Sequence, residues 1–170
     1  MFIRTERLFL RPAWPEDMDE LLAVLSDDAV VRSIGVSALP RSPTELRAYL
    51  ERPSEILLPH FCINLREDDG ARLIGAVGLG RSGNQVELGC RIARGHHGHG
   101  YAAEAVRGVL AEAPMLGHHQ VIAAHFSDNE ASARVLKQAG FKPTGETCSR
   151  YSHRRGANVP ASVYVARLAG

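Results

Sequence analysis

Apolar and polar positions along this chain follow two rhythms, and the switches between them mark its elements. "RLFLRPA" (7–13) alternates with the period of a strand and is stopped by Pro12 and Pro15. "PEDMDELLAVLSD" (15–27) changes to helical spacing. Pro15 suits a first helical turn, and Glu16, Asp17 and Asp19 suit its positive dipole end. "SPTELRAYLE" (42–51) repeats this on a smaller scale, with Ser42 as N-cap, Pro43 at N1 and Glu45 completing a capping box. Alternation returns in "HFCINLRE" (60–67), "ARLIGAVGLGR" (71–81) and "QVELGCRIA" (85–93), separated by the turn residues "EDDG" and "RSGN". A helix follows over 101–113, halted by Pro114. The short apolar run "QVIAAHF" (120–126) reads as a buried strand, and "DNEASARVLKQAGF" (128–141) as a helix with a glycine stop. "TGETCSRYSH" (144–153) and "ASVYVARL" (161–168) close the chain as two strands.

This order predicts an α/β fold: a mixed, mostly antiparallel central sheet of about seven strands flanked by helices, within one domain over residues 1–170. The strand–helix–strand passages imply a crossover between parallel neighbours, and the rest is antiparallel, which excludes a doubly wound Rossmann arrangement. There is no internal repeat or long linker. Acids and bases nearly balance, at a formal net charge of +1, so the overall charge gives no electrostatic footprint for nucleic acid. No apolar run approaches the ~20 residues of a membrane-spanning helix. "MFIRTERLFLRPAW" carries charges where a signal core would be apolar. Cys62, Cys90 and Cys148 are odd in number and lack metal-site spacing. The expectation is a cytoplasmic protein with neither membrane nor nucleic-acid partners.

The candidate chemistry lies in "RIARGHHGHGYAAEAVRGVL" (91–110). A metal reading fails on spacing: His96, His97 and His99 crowd one loop, and neither finger cysteines nor a His-Glu-x-x-His helix accompanies them. A phosphate reading fits better. A strand runs into a loop carrying Gly95, Gly98 and Gly100, and the loop opens a helix. Glycines let backbone approach an anion closely, and helix N-terminal amides attract it. The cationic fraction of the histidines would add modestly. The plain alternative is a tight strand-to-helix turn. The loop is not a Walker A motif, for it lacks the closing Gly-Lys-Ser/Thr.

"HHGHGYAAEAV" resembles the acyl-CoA pyrophosphate loop of the GNAT N-acetyltransferase superfamily, Arg/Gln-x-x-Gly-x-Gly/Ala, with Gly98 and Gly100 in its glycine positions. "TERLFLRPAWPEDMDEL" (5–21) and "DNEASARVLKQAGFKPTGE" (128–146) resemble the opening segment and the Asn-x-x-Ser … Gly-Phe segment of the branch that includes the ribosomal-protein N-terminal acetyltransferases. The three occur in the family's order and span nearly the whole chain. Two positions depart: Gly95 stands at the Arg/Gln place, where Arg94 could serve instead, and His97 stands where the branch often has an aromatic residue. Leu136 occupies the position of a tyrosine that serves many members as general acid.

The resemblance implies direct acetyl transfer from acetyl-CoA, with no metal, to a primary amine such as a protein N-terminus or a small molecule. The alternative is a non-catalytic acyl-CoA-binding regulatory module. A homodimer is compatible with the branch. By resemblance, backbone from Gly95 through His96, His97, Gly98, His99 and Gly100 to Tyr101 and Ala102 would cradle the pyrophosphate, beside Arg94. Cys90 and Ile92 would flank the pantetheine arm, and Asn129 would bond the cofactor or its water. Ser132 shares a helix face with Asn129 and is the candidate for protonating the thiolate. Asn129 as an N-cap and Ser132 as a packing residue are the plain alternatives. Glu87 is a candidate base or an outer-face charge. Glu104 reads as a favourable first-turn acid, and His125 as a structural histidine. The acceptor site is expected from 27–52 and 150–159, with Tyr151 and His153 among its lining.

Overall fold

The structure, a computed structural model, describes residues 1–26, 34, 42–53, 55–152 and 155–169. Among these run strands β1 (Ile3–Arg4) and β2 (Leu8–Arg11), helices α1 (Met18–Ser26) and α2 (Pro43–Glu51), and strands β3 (His60–Glu67), β4 (Gly70–Ser82) and β5 (Gln85–Ile92). Then come α3 (Tyr101–Glu112), β6 (Gln120–Phe126), α4 (Glu130–Gln138), β7 (Lys142–Ser152) and β8 (Ala157–Arg167). They form an eight-stranded sheet in the order β1-β2-β3-β4-β5-β6-β8-β7. The strand beyond the expected seven is β1, two residues paired to β2 through Ile3↔Leu10, too short to show a periodicity. The α/β mixed fold is otherwise as the pattern predicts, with β5 and β6 the parallel pair. One feature of the order is not local. β8 inserts antiparallel between β6 and β7, so the strand after α4 lies one place removed from the strand before it.

Helices cover both faces. Leu21, Leu25 and Leu46 of α1 and α2 pack with Cys62, Leu73 and Ala76 on one face. On the other, α3 and α4 contribute Ala105, Val106, Val109, Leu110 and Leu136 to a core with Leu8, Leu10, Ile63, Val77, Leu88, Cys90 and Val121. Leu73 and Ala76 share a face although they are three apart, as do Ile74 and Val77. The β3–β4 register shifts between Ile63 and Asn64, giving β4 one extra residue there. Such a bulge inverts the side-chain alternation beyond it.

Local chemistry secures the helix starts. Ser42 Oγ accepts the Glu45 N–H at 3.1 Å, the expected cap of α2. Before α1, Asp17 accepts the Trp14 N–H at 2.7 Å and the Arg11 guanidinium at 2.7 and 2.8 Å. That contact holds the Asp17 carboxyl below its usual range, the Arg11 bond outweighing the cost of burial. At Gly108 α3 lies so close to the first strands that a β-carbon would stand 3.1 Å from Thr5 Cγ2.

Candidate active site

The sheet is split at its middle. β5 and β6 register through one pair among the described residues, Glu87↔Ile122. Beyond it, toward the C-terminal end of β5, Cys90 turns its backbone to Ile34, with both N–H···O bonds at 3.0 Å. A parallel pair that ends after one register position leaves strand-edge amides for other partners.

The glycine loop follows at the end of β5. Ala93 N–H bonds Ile74 O at 2.7 Å, a short 3-10 turn covers Arg94–His96, and α3 starts at Tyr101. Gly98 and Gly100 both have φ +81°, a left-handed conformation that costs any residue with a β-carbon. A β-carbon on Gly95 or Gly98 would meet nothing within 4 Å, so their backbone faces open space. No side chain caps α3. This is an open run of backbone leading to helix-end donors that no side chain caps, and it fits a pyrophosphate.

The three histidines do different work. His97 Nε2 donates to Ile92 O at 2.6 Å, pinning the loop to the strand it leaves. The His99 ring stacks on Tyr101 at 5.5 Å between centroids. His96 has its pKa lowered, by desolvation first and then by the charges of Arg72 and His99. That corrects the expected cationic help for His96, which is held toward its neutral form. Arg94 is exposed beside the loop.

Two supports escaped the sequence analysis. Arg7, in the turn before β2, donates from Nη1 to His99 O at 2.8 Å and lies over the Tyr101 ring at 4.6 Å. Its backbone N–H and its Nε both reach Glu104, each at 2.7 Å, and Thr5 Oγ1 reaches the same carboxylate at 2.5 Å. Glu104 is therefore more than a dipole charge: it is buried, and it ties the first strands to α3. The available signal was an Arg in the opening segment and a Glu in the loop helix, but nothing in their spacing pairs them. A cleft of about 500 Å³ opens beside Tyr101, lined by Glu6, Arg7, Leu65, Arg66, Glu67 and Asp68. Its three carboxylates make it a poorer anion site than the loop amides.

The second missed residue is Arg150. Side chains alternate along β5, placing Leu88, Cys90 and Ile92 in the core under α3 and Glu87, Gly89 and Arg91 on the opposite face. Glu87 is 1% exposed, so it is not the solvated charge of its plain reading. Arg150 reaches across from β7 and sets Nη2 at 3.2 and 3.3 Å from the two Glu87 oxygens. Arg91 is buried on the same face. Cys148 and Ser152 alternate with the exposed Ser149 and Tyr151, so it is Arg150, not Tyr151, that points inward from β7. His153 and the stretches 27–33 and 35–41 of the expected acceptor site lie outside the described residues.

On the α3–α4 face, Asn129 Oδ1 accepts the Ser132 N–H at 3.2 Å and so caps α4. Ser132 is buried above Leu136 on the same helix face. His125 is buried, with Nδ1 donating to Phe126 O at 2.6 Å and its ring 5.2 Å from Tyr164. Burial pushes the Cys62 and Cys90 thiols up to about 12, which removes both as nucleophiles near neutral pH.

A sheet split beside a positive-φ glycine loop at a helix start defines the class of protein. Residues 7–142 match the model of the acetyltransferase (GNAT) domain, and the chain belongs to this family of acyltransferases, which use acetyl-CoA. It is 28% identical over 169 residues to the uncharacterized N-acetyltransferase YoaA of Bacillus subtilis, covering 95% of this chain and 94% of that protein. The fold is shared with a GNAT-family acetyltransferase from Bacillus anthracis, at TM-score 0.76, 20% identity and 98% coverage of both chains. It is also shared with the microcin C7 self-immunity acetyltransferase MccE, solved with acetyl-CoA and AMP, at TM-score 0.73, 14% identity and coverage of 96% and 93%. Among the described residues, no helix is long and apolar enough to cross a membrane.

Proposed function

We propose that this chain is a single-domain, cytoplasmic N-acetyltransferase that moves an acetyl group directly from acetyl-CoA to a primary amine, in the branch that resembles the ribosomal-protein N-terminal enzymes. The observation that carries the reading is the open, positive-φ loop at Gly98 and Gly100, set where the β5–β6 split ends. When bound, acetyl-CoA supplies an acetyl group activated as a thioester. Amides from Gly95 to Ala102 hold its pyrophosphate, with Arg94, His96 and His99 around them, while His97 and Arg7 keep the loop in shape. Ile92 and Cys90 flank the arm, and contact at the Cys90 backbone replaces its bridge to Ile34. The amine must lose a proton to attack, and Glu87 takes it, directly or through water. A C–N bond forms as the C–S bond breaks; Ser132 gives the leaving sulfur a proton and regains one from the acylated nitrogen, directly or through solvent. Holding both substrates in line supplies much of the rate.

Asn129 has two tasks, capping α4 and bonding the cofactor, which its amide has the capacity to do. Asn129→Ala is therefore expected to lower turnover more than Ser132→Ala and to cost about 1 kcal/mol of stability as a lost cap. Steady-state rates of the two variants, read beside their melting temperatures, test the order. A larger loss in Ser132→Ala would transfer the main role to the serine.

The test of the function itself is calorimetric titration with acetyl-CoA against dephospho-CoA and NAD, followed by thiol release over a panel of amines. Selective binding with turnover supports transfer. Selective binding without turnover on any amine supports the non-catalytic module, and no binding by folded protein refutes both.

A further inference from the structure

We infer that His125 is a further cofactor-binding residue, whose Nε2 accepts a hydrogen bond from an amide N–H of the acetyl-bearing arm of acetyl-CoA, beside the thioester. The inference rests on the transfer reading above. Glu87 and Ile122 are the one pair at which β5 and β6 register among the described residues. Cys90 and His125 each stand three residues beyond that pair, one on either wall of the split. Their side chains share a face. Cys90 lies in the core beneath α3 and α4, and alternation along β6 sets His125 with Val121 and Ala123 of the same core. An arm flanked by Cys90 therefore has His125 across from it.

The ring is fixed, and one of its nitrogens is bare. Phe126 O accepts the Asn129 N–H at 2.8 Å and His125 Nδ1–H at 2.6 Å. A carbonyl oxygen only accepts, so Nδ1 carries the proton and the lone pair of the neutral ring is at Nε2. The shared carbonyl sets the ring against the start of α4, the turn that carries Asn129 and Ser132. Tyr164 packs on the ring with centroids 5.2 Å apart. His125 is 3% exposed, and its Nε2 is buried with no hydrogen-bond partner. A buried acceptor left bare is costly, and the loss is recovered when a ligand brings a donor. Neither an ionised phosphate nor the thioester carbonyl meets that need, because both only accept. The arm's amide N–H groups do meet it. A bond at Nε2 fixes how far the arm enters the split, and so where the thioester stops relative to Glu87.

The experiment is calorimetric titration of His125 variants with acetyl-CoA and with 3′-phospho-ADP, which keeps the phosphates and lacks the arm. Glutamine places an acceptor near the position of Nε2, and asparagine only a donor near that of Nδ1. Phenylalanine keeps a ring against Tyr164 and neither nitrogen. We expect His125→Phe to bind acetyl-CoA about tenfold more weakly, the worth of one hydrogen bond, and 3′-phospho-ADP as the parent does. His125→Gln recovers most of that loss. His125→Asn does not, although it keeps the bond to Phe126 O and melts nearer the parent. Equal losses for the two ligands, rescue by asparagine alone, or full acetyl-CoA affinity in folded His125→Phe each overturn the inference while leaving acetyl transfer standing. The wild-type protein decides the matter even if the variants fold poorly. With its histidines labelled with nitrogen-15, one acceptor-type Nε2 resonance should move on addition of acetyl-CoA and stay in place with 3′-phospho-ADP. Absence of that movement in protein that binds acetyl-CoA overturns the inference alone, and wild-type protein that binds neither ligand overturns it together with the transfer reading.

Discussion

Gly100→Asp is expected to abolish measurable acetyl-CoA binding in a protein that still folds, and Gly98→Asp to do the same. Two effects add. Both positions hold φ +81°, where a β-carbon costs about 1 kcal/mol. The larger effect is electrostatic. A carboxylate facing phosphate at about 4 Å is opposed by roughly 4 kcal/mol at an effective dielectric near 20, more than a hundredfold in affinity; Gly98→Asp, which meets open space, carries this in full, while at Gly100 a β-carbon stands 3.4 Å from Arg7 Nη2 and the guanidinium offsets part of it. Gly100→Asn separates the two, because asparagine tolerates the left-handed conformation and is neutral. Calorimetry on the three variants, each with a melting curve, should place Gly100→Asn near the parent and both aspartates beyond detection. Aspartate variants that bind normally would remove the loop from the site.

Glu104→Ala should produce the largest loss of stability among single substitutions near the site. Its carboxylate collects hydrogen bonds from Thr5 Oγ1, the Arg7 N–H and Arg7 Nε, across 97 residues of sequence for the Arg7 pair. Removing it strands these donors in a part-buried place. Because the Arg7 side chain is 41% exposed, solvent offsets part of the loss. The expected cost is about 3 kcal/mol, near 10 °C in melting temperature for a chain of this length. The pH dependence has a definite sign. Burial alone would raise the Glu104 pKa, but the bonds from Thr5 and Arg7 outweigh it and hold the value below the usual range. A carboxylate with a lowered folded pKa contributes fully above its unfolded value, and that contribution fades as pH falls through the folded one. The gap in melting temperature between parent and Glu104→Ala should be full at neutral pH and narrow below about pH 4.3. A gap independent of pH would mean that packing, not the charge, is what was lost. Acetyl-CoA affinity should fall as well, since Arg7 also holds His99 O and the Tyr101 ring.

Much of the frame is legible in the sequence because it is local. Pro43 and Ser42 start α2 within four residues, the alternation of 85–93 sets the two faces of β5, and the glycines of 95–100 mark a loop that needs positive φ. Asn129 as a cap of α4 is equally local, a contact three residues long. Each is settled by dihedral preference or by a bond to a neighbour in sequence. The two-residue β1 and the bulge near Ile74 are short-range too, yet they are set by the partner strand and not by their own residues. The insertion of β8 between β6 and β7 is a choice of sheet order, which no stretch of 10 residues can encode. The site's charge pairs belong to this second kind. Arg150 meets Glu87 across 63 residues, and Arg7 meets Glu104 across 97. From sequence alone Glu87 reads as a base or as a surface charge, and strand alternation does not separate the two. Its burial and its cation are decided by which strands lie beside the split, because an ionised group is stable out of water only where the fold supplies its counter-charge.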